Sequence, residues 1–152
     1  MTPHKMFTGL LAGFAKSIGL PPPAIEDGVC MLELDGQWML NLALRPGRDQ
    51  LVVFAPLGVP AGDAEPVYQA LLRANDTSAD TVLALDVDSG QVVATAHVPL
   101  DGLDVQGLQR RLERFVDAAA GWRERLAGAP GDAAAPQDLA GAPFTFIPFD
   151  RA

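Results

Sequence analysis

Phe7, Leu10, Leu11, Phe14 and Ile18 fall at offsets of three, four, seven and eleven, the spacing of one helix face. Thr2 is placed to cap this first helix, Pro3 fits its first position, and Gly19 with Pro21, Pro22 and Pro23 ends it. Two aromatics on one helix mean either core or a partly exposed docking surface. A second helical pattern covers Val67 to Asn75, with Tyr68, Leu71, Leu72 and Asn75 on one side and Asp63 and Pro66 at its start. Leu108, Leu112, Phe115, Ala119, Trp122 and Leu126 predict a third and longest helix, capped by Asp104 and closing near Gly128.

Between the helices the pattern changes to short apolar runs bounded by turn residues: 29–34, 37–44, 51–55, 81–86 and 91–98. Asp35-Gly36 between the first two is a hairpin signal. A two-residue loop there sets Val29, Met31, Trp38, Leu40 and Leu42 on one face and Cys30, Leu32, Leu34, Met39 and Asn41 on the other. Both faces are largely apolar, whereas an antiparallel sheet with one wet face alternates. The second face is therefore covered either by this chain or by another one. The order is helix, three strands, helix, two strands, long helix (αβββαββα), an α+β fold.

Residues 1–127 read as one domain, and 128–152 as a tail. Gly128 to Pro143 is rich in Ala, Gly and Pro without periodicity, so a flexible segment is expected. Phe144 to Phe149 is apolar and is expected to dock as an extended strand on the sheet or on a neighbouring copy.

At 152 residues with 49% apolar content, the chain can build one real core. Its net charge of −8 disfavours phosphate backbones and anionic lipid, so neither a nucleic acid nor a membrane is an expected partner. Lys16 interrupts the apolar run from Met6 to Ala15, which argues against a cleaved signal, and no apolar run is long enough to span a membrane. The lone Cys30 cannot form an internal disulfide.

Catalytic patterns are thin. Cys30 and His97 could form a thiolate pair only if the strands brought them together. Asp86-x-Asp88-x-Gly90 resembles the start of a calcium loop, but the glycine comes one position early and His97 stands where a bidentate Glu belongs. A hairpin turn explains those residues more simply. Zinc-ligand spacing and a phosphate-cradling glycine motif are both missing, since Gly9-Leu-Leu-Ala-Gly13 lacks the Lys-Ser/Thr ending. Arg110, Arg111 and Arg114 are interleaved with Glu113 and Asp117, which reads as a solvated helix face. The expectation is a binding protein with no enzyme activity, cofactor or metal.

Several segments carry a resemblance in their order. Leu11-x-x-Phe14-x-x-x-Ile18-Gly-Leu20, Leu51-Val-Val-Phe-Ala-Pro-Leu-Gly58, Leu71-Leu-x-Ala-Asn75, and Phe115-Val with Trp122-Arg-x-x-Leu126 together resemble class I type III secretion chaperones of the CesT (Tir chaperone) family. The likeness spans about residues 6 to 127, and the tail departs from the usual form. It implies an ATP-independent homodimer in the bacterial cytoplasm that keeps an effector's N-terminal segment extended for secretion. By that likeness the dimer interface falls on Tyr68, Leu71, Leu72, Val82, Leu83 and Leu85. The effector-binding surface falls on the first helix and first three strands, at Phe7, Leu10, Leu11, Phe14, Met31, Leu32, Trp38, Leu40, Leu42 and Val53. A protein-binding adaptor of similar α+β fold outside secretion is the competing expectation.

Overall fold

The computed structural model describes residues 2–34, 36–45, 47–77 and 80–128. The expected flexible tail and its apolar end, 129–152, lie outside the described residues, as does Asp35.

The elements follow in the order α1 (Pro3–Ser17), β1 (Ile25–Glu26), β2 (Val29–Leu34), β3 (Trp38–Leu44), β4 (Gln50–Gly58), α2 (Ala64–Thr77), β5 (Val82–Leu85), β6 (Val92–Pro99) and α3 (Val105–Ala127). Local chemistry sets the helix starts. Thr2 Oγ1 accepts from the Lys5 N–H at 3.2 Å, with Pro3 in the first turn, and Asp104 Oδ1 accepts from the Gly107 N–H at 2.7 Å. All strand pairs are antiparallel, in the order β1-β2-β3-β4-β6-β5. The chain leaves β4, forms α2, lays β5 on the far edge and returns through β6 to pair with β4.

Two features depart from the sequence expectation. The strand β1 is an addition. Asp27 and Gly28 both take positive φ, 53° and 78°, which is the two-residue hairpin geometry that Asp-Gly favours. The β2–β3 loop holds three residues instead of two. Leu34 pairs with Trp38, and the Gln37 N–H donates to the Leu34 carbonyl at 3.1 Å. One added turn residue moves β3 by one position against β2, which exchanges its faces. Trp38, Leu40 and Leu42 therefore share a face with Leu34, Leu32 and Cys30, while Met39, Asn41 and Ala43 share one with Glu33, Met31 and Val29.

The first of these faces holds the core. Phe7, Leu11 and Phe14 of α1 and Leu108, Leu112, Phe115 and Leu126 of α3 pack there with Leu32, Leu40, Leu42, Leu51 and Val53. Each fully buried Leu contributes roughly 2 kcal/mol of burial free energy, so this layer dominates the fold. The opposite face carries a smaller cluster of Val52, Phe54 and Val93, with Val29 packed against it and no helical residue in it.

Two contacts set how the helices sit. A Cβ on Gly13 would stand 2.8 Å from Val105 Cγ2, so the missing side chain is what lets α1 approach the start of α3. At the other end of α3 the Arg123 guanidinium stacks over the Trp38 ring at 3.7 Å, and the Ala61 N–H donates to the Leu126 carbonyl at 2.8 Å.

Candidate functional site

A sheet of six strands has two edges, and this chain treats them differently. At β5 the Asn75 side chain of α2 closes the edge. Its Nδ2 donates to the Leu83 carbonyl at 2.7 Å and its Oδ1 accepts from the Leu83 N–H at 2.8 Å. The amide thus imitates a neighbouring strand and uses up one outward pair of groups, that of Leu83, which a further strand would need.

At the other edge β1 covers only the start of β2. Val29 pairs with Glu26 across the tight turn, so its backbone groups point outward to β1, and those of Met31 and Glu33 point the same way by alternation. The short strand stops at Ile25. Extending the register would set Ala24 against Met31 and Pro22 against Glu33. Pro21, Pro22 and Pro23 carry no N–H, so this stretch is a poor strand partner and veers off. Between it and β2 lies a slot of about 510 Å³ lined by Leu20, Pro21, Pro22, Pro23, Ala24, Met31, Leu32, Glu33 and Gly36.

That slot meets a second depression at Leu20 and Glu33. This groove, about 540 Å³, runs between the end of α1, the end of β2 and the outer side of α3. Phe14, Ile18, Leu20, Leu34, Leu112 and Val116 give it an apolar floor; Glu33, Gln109, Glu113 and Asp117 give it a polar rim. An open strand edge beside an apolar groove offers backbone hydrogen bonds and side-chain pockets together, which is what binding an extended peptide requires.

The residues singled out from sequence divide sharply. Phe7, Leu11, Phe14, Leu32, Trp38, Leu40, Leu42 and Val53 are buried in the protomer's own core, because α1 and α3 both pack on that face of the sheet. Of the expected effector-binding set, only Leu10 and Met31 offer substantial surface; Met31 is 58% exposed and lies on the opposite face from Trp38, Leu40 and Leu42. Phe14 alone of the buried set also lines the groove. Ile18, Leu20, Leu34, Leu112 and Val116 were legible only as core or helix-face positions, since their groove role depends on which elements meet.

The expected dimer set divides likewise. Leu71 and Leu83 are each 5% exposed and belong to the core, whereas Leu72 is 71% exposed and Val82 and Leu85 of β5 are each 43% exposed, on opposite faces of that strand. Tyr68 is half-buried against the core.

The strands do not assemble a nucleophile. Cys30 shares its face with Leu42, Val53 and Ala96, so His97, the next residue along β6, points to the other side of the sheet. Burial pushes the Cys30 thiol up, away from the thiolate. Asp86, from the calcium-like stretch, is committed to a turn: its Oδ2 accepts from the Ser89 N–H at 3.1 Å, and its carbonyl accepts from the Gly90 N–H at 2.8 Å. Among the described residues no helix is long and apolar enough to cross a membrane.

Comparison with known proteins adds an independent line. No curated protein matches the chain. Among solved structures it is similar to a chain of the HopA1-SchA chaperone-effector complex, with 28% identity and a TM-score of 0.69 over 78% of this chain and 94% of that one. It is also similar to a chain of the ExsC-ExsE complex, with 25% identity and a TM-score of 0.76 over 85% and 99%. A third likeness is to a chain of the ExoT-SpcS complex from Pseudomonas aeruginosa, with 27% identity and a TM-score of 0.61 over 80% and 98%. The family model of the Tir chaperone protein (CesT) family matches residues 9–123, most of the described chain, and the protein belongs to that family.

Proposed function

We propose that this protein is a type III secretion chaperone that receives the N-terminal region of an effector as an extended strand along the outer edge of β2. The observation that carries this reading is the contrast between the edges, with β5 closed by Asn75 and β2 left open beside an apolar groove. Strand addition demands little of the client's sequence, so an unfolded segment can be held without chemistry or a nucleotide. The HopA1-SchA chaperone-effector complex among its structural relatives supports the same partner class. Family likeness further supports a homodimer in the bacterial cytoplasm, with Tyr68, Leu72, Val82 and Leu85 meeting a second copy. Burial of Phe7, Leu11, Leu40, Leu42 and Val53 leaves them the role of holding the groove's walls in place.

The test is co-expression with the N-terminal regions of candidate effectors, followed by amide hydrogen exchange on any complex that forms. Met31 and Glu33 should gain protection. Capture of a partner that is not secreted, with no effector retained, would favour an adaptor instead. Protection confined to α2 and β5 would remove the β2 edge from the mechanism.

A further inference from the structure

The groove's rim has a sign. Gln109, Glu113 and Asp117 follow one another at four-residue steps along α3, forming a line beside Leu112 and Val116, while Glu33 borders the groove at the edge strand β2 with its side chain on the opposite face of the sheet. Among the described residues no Lys or Arg lines the groove. Of the cations on this stretch of α3, Arg111 and Arg114 reach Asp80 at 3.7 and 3.8 Å, while Arg110 is exposed beside Gln109 and does not line the groove. Among the described residues no Lys or Arg lies within salt-bridge distance of Glu33, Glu113 or Asp117. Gln109 Nε2 donates to Glu113 Oε1 at 3.1 Å, which leaves that carboxylate with its charge uncompensated.

We infer that the groove selects its client by charge as well as by greasiness: the segment it takes is extended, apolar at alternate positions, and carries Lys or Arg beside the apolar anchor. This rests on the strand-addition reading above and specifies its partner. Alternation places one set of client side chains over Phe14, Ile18, Leu20 and Leu34. A long basic side chain from the same segment can lay its methylenes on that apolar floor while its head reaches the rim. An acidic segment meets repulsion from the α3 wall, so the rim also rejects wrong clients.

The probes are three labelled peptides of about twelve residues, a length that spans the edge. All carry the same alternating Val, Ile and Leu, and the intervening positions include Lys, Ser or Glu. Binding to the full-length protein is read by fluorescence anisotropy at low and high salt. The Lys peptide should bind about tenfold tighter than the Glu peptide at low salt, and the gap should narrow as salt rises. The double variant Glu113→Gln with Asp117→Asn, both near-isosteric and on the surface, should weaken the Lys peptide several-fold and leave the Ser peptide unchanged.

Equal affinity for all three peptides would overturn charge selection while leaving strand addition intact. Failure of every peptide to bind at millimolar concentration would overturn both. Charge selection that survives the double variant would assign it to some other surface and overturn the role of the rim.

Discussion

Asn75 and Leu83 are joined by two hydrogen bonds, 2.7 and 2.8 Å, that run between one side chain and both backbone groups of an edge-strand residue. The helix α2 is thereby pinned to β5, and one end of the sheet is sealed. Replacing Asn75 with Ala leaves a donor and an acceptor of Leu83 unmatched. Chemical denaturation should show a loss of about 1–3 kcal/mol. The same variant should self-associate on standing, as read by light scattering, because it uncovers a pairing edge. Asn75→Asp keeps the acceptor but sets a carboxylate oxygen against the Leu83 carbonyl, so it should lose at least as much as Ala.

A proline can test the other edge without breaking the sheet. The Met31 N–H points outward, so Met31→Pro should leave the β2–β3 ladder whole and remove one bond from a visiting strand. Effector affinity should drop by about tenfold, with little change in melting temperature. Leu32→Pro, whose N–H points at β3, should instead unfold the hairpin.

Neighbouring leucines on α2 should behave in opposite ways. Leu72 is exposed, so Leu72→Glu should keep the protomer folded and, if the proposed homodimer forms through this surface, shift it toward monomer in analytical ultracentrifugation. Leu71 is buried, and Leu71→Glu should lose solubility before its oligomeric state can be measured.

His97 gives a pH signature. Burial, then the nearby Arg45 charge, lowers its pKa below 6.5, so the unfolded chain binds a proton more readily than the folded one. Its contribution is therefore constant above the unfolded value and declines as pH falls through that value toward the lowered folded one. His97→Gln should flatten the stability profile in that window, measured by thermal melts across a pH series. A profile unchanged by the substitution would show that the imidazole does not titrate differently on folding.

Much of the fold was legible because the periods are clean. Three helices and five strands stand out from residue spacing, and the caps at Thr2 and Asp104 follow from short-range chemistry. What sequence could not supply was relational. The strand β1 is two residues long, too short to show a period, though Asp27-Gly28 held the same signal that was read at Asp35-Gly36. Leu71 and Leu72 are chemically identical, and only the rotation of α2 against β5 separates them. The acidic rim was visible as Glu113 and Asp117, but as a solvated face, since nothing along the chain says that the end of β2 lies opposite. Phe7, Leu40 and Val53 were placed on the effector surface by the family likeness; the core claims them because they are apolar and α1 and α3 pack on their face.

The three-residue turn at Gln37 has an evolutionary corollary. Swapping the side chain of Gln37 changes little, whereas deleting a single codon in that turn would send Trp38, Leu40 and Leu42 to the solvent side and bring Met39 and Asn41 inward. Among natural variants of this protein, then, that hairpin should keep its length and the glycine at position 36, whose φ is 65°, while position 37 drifts in composition.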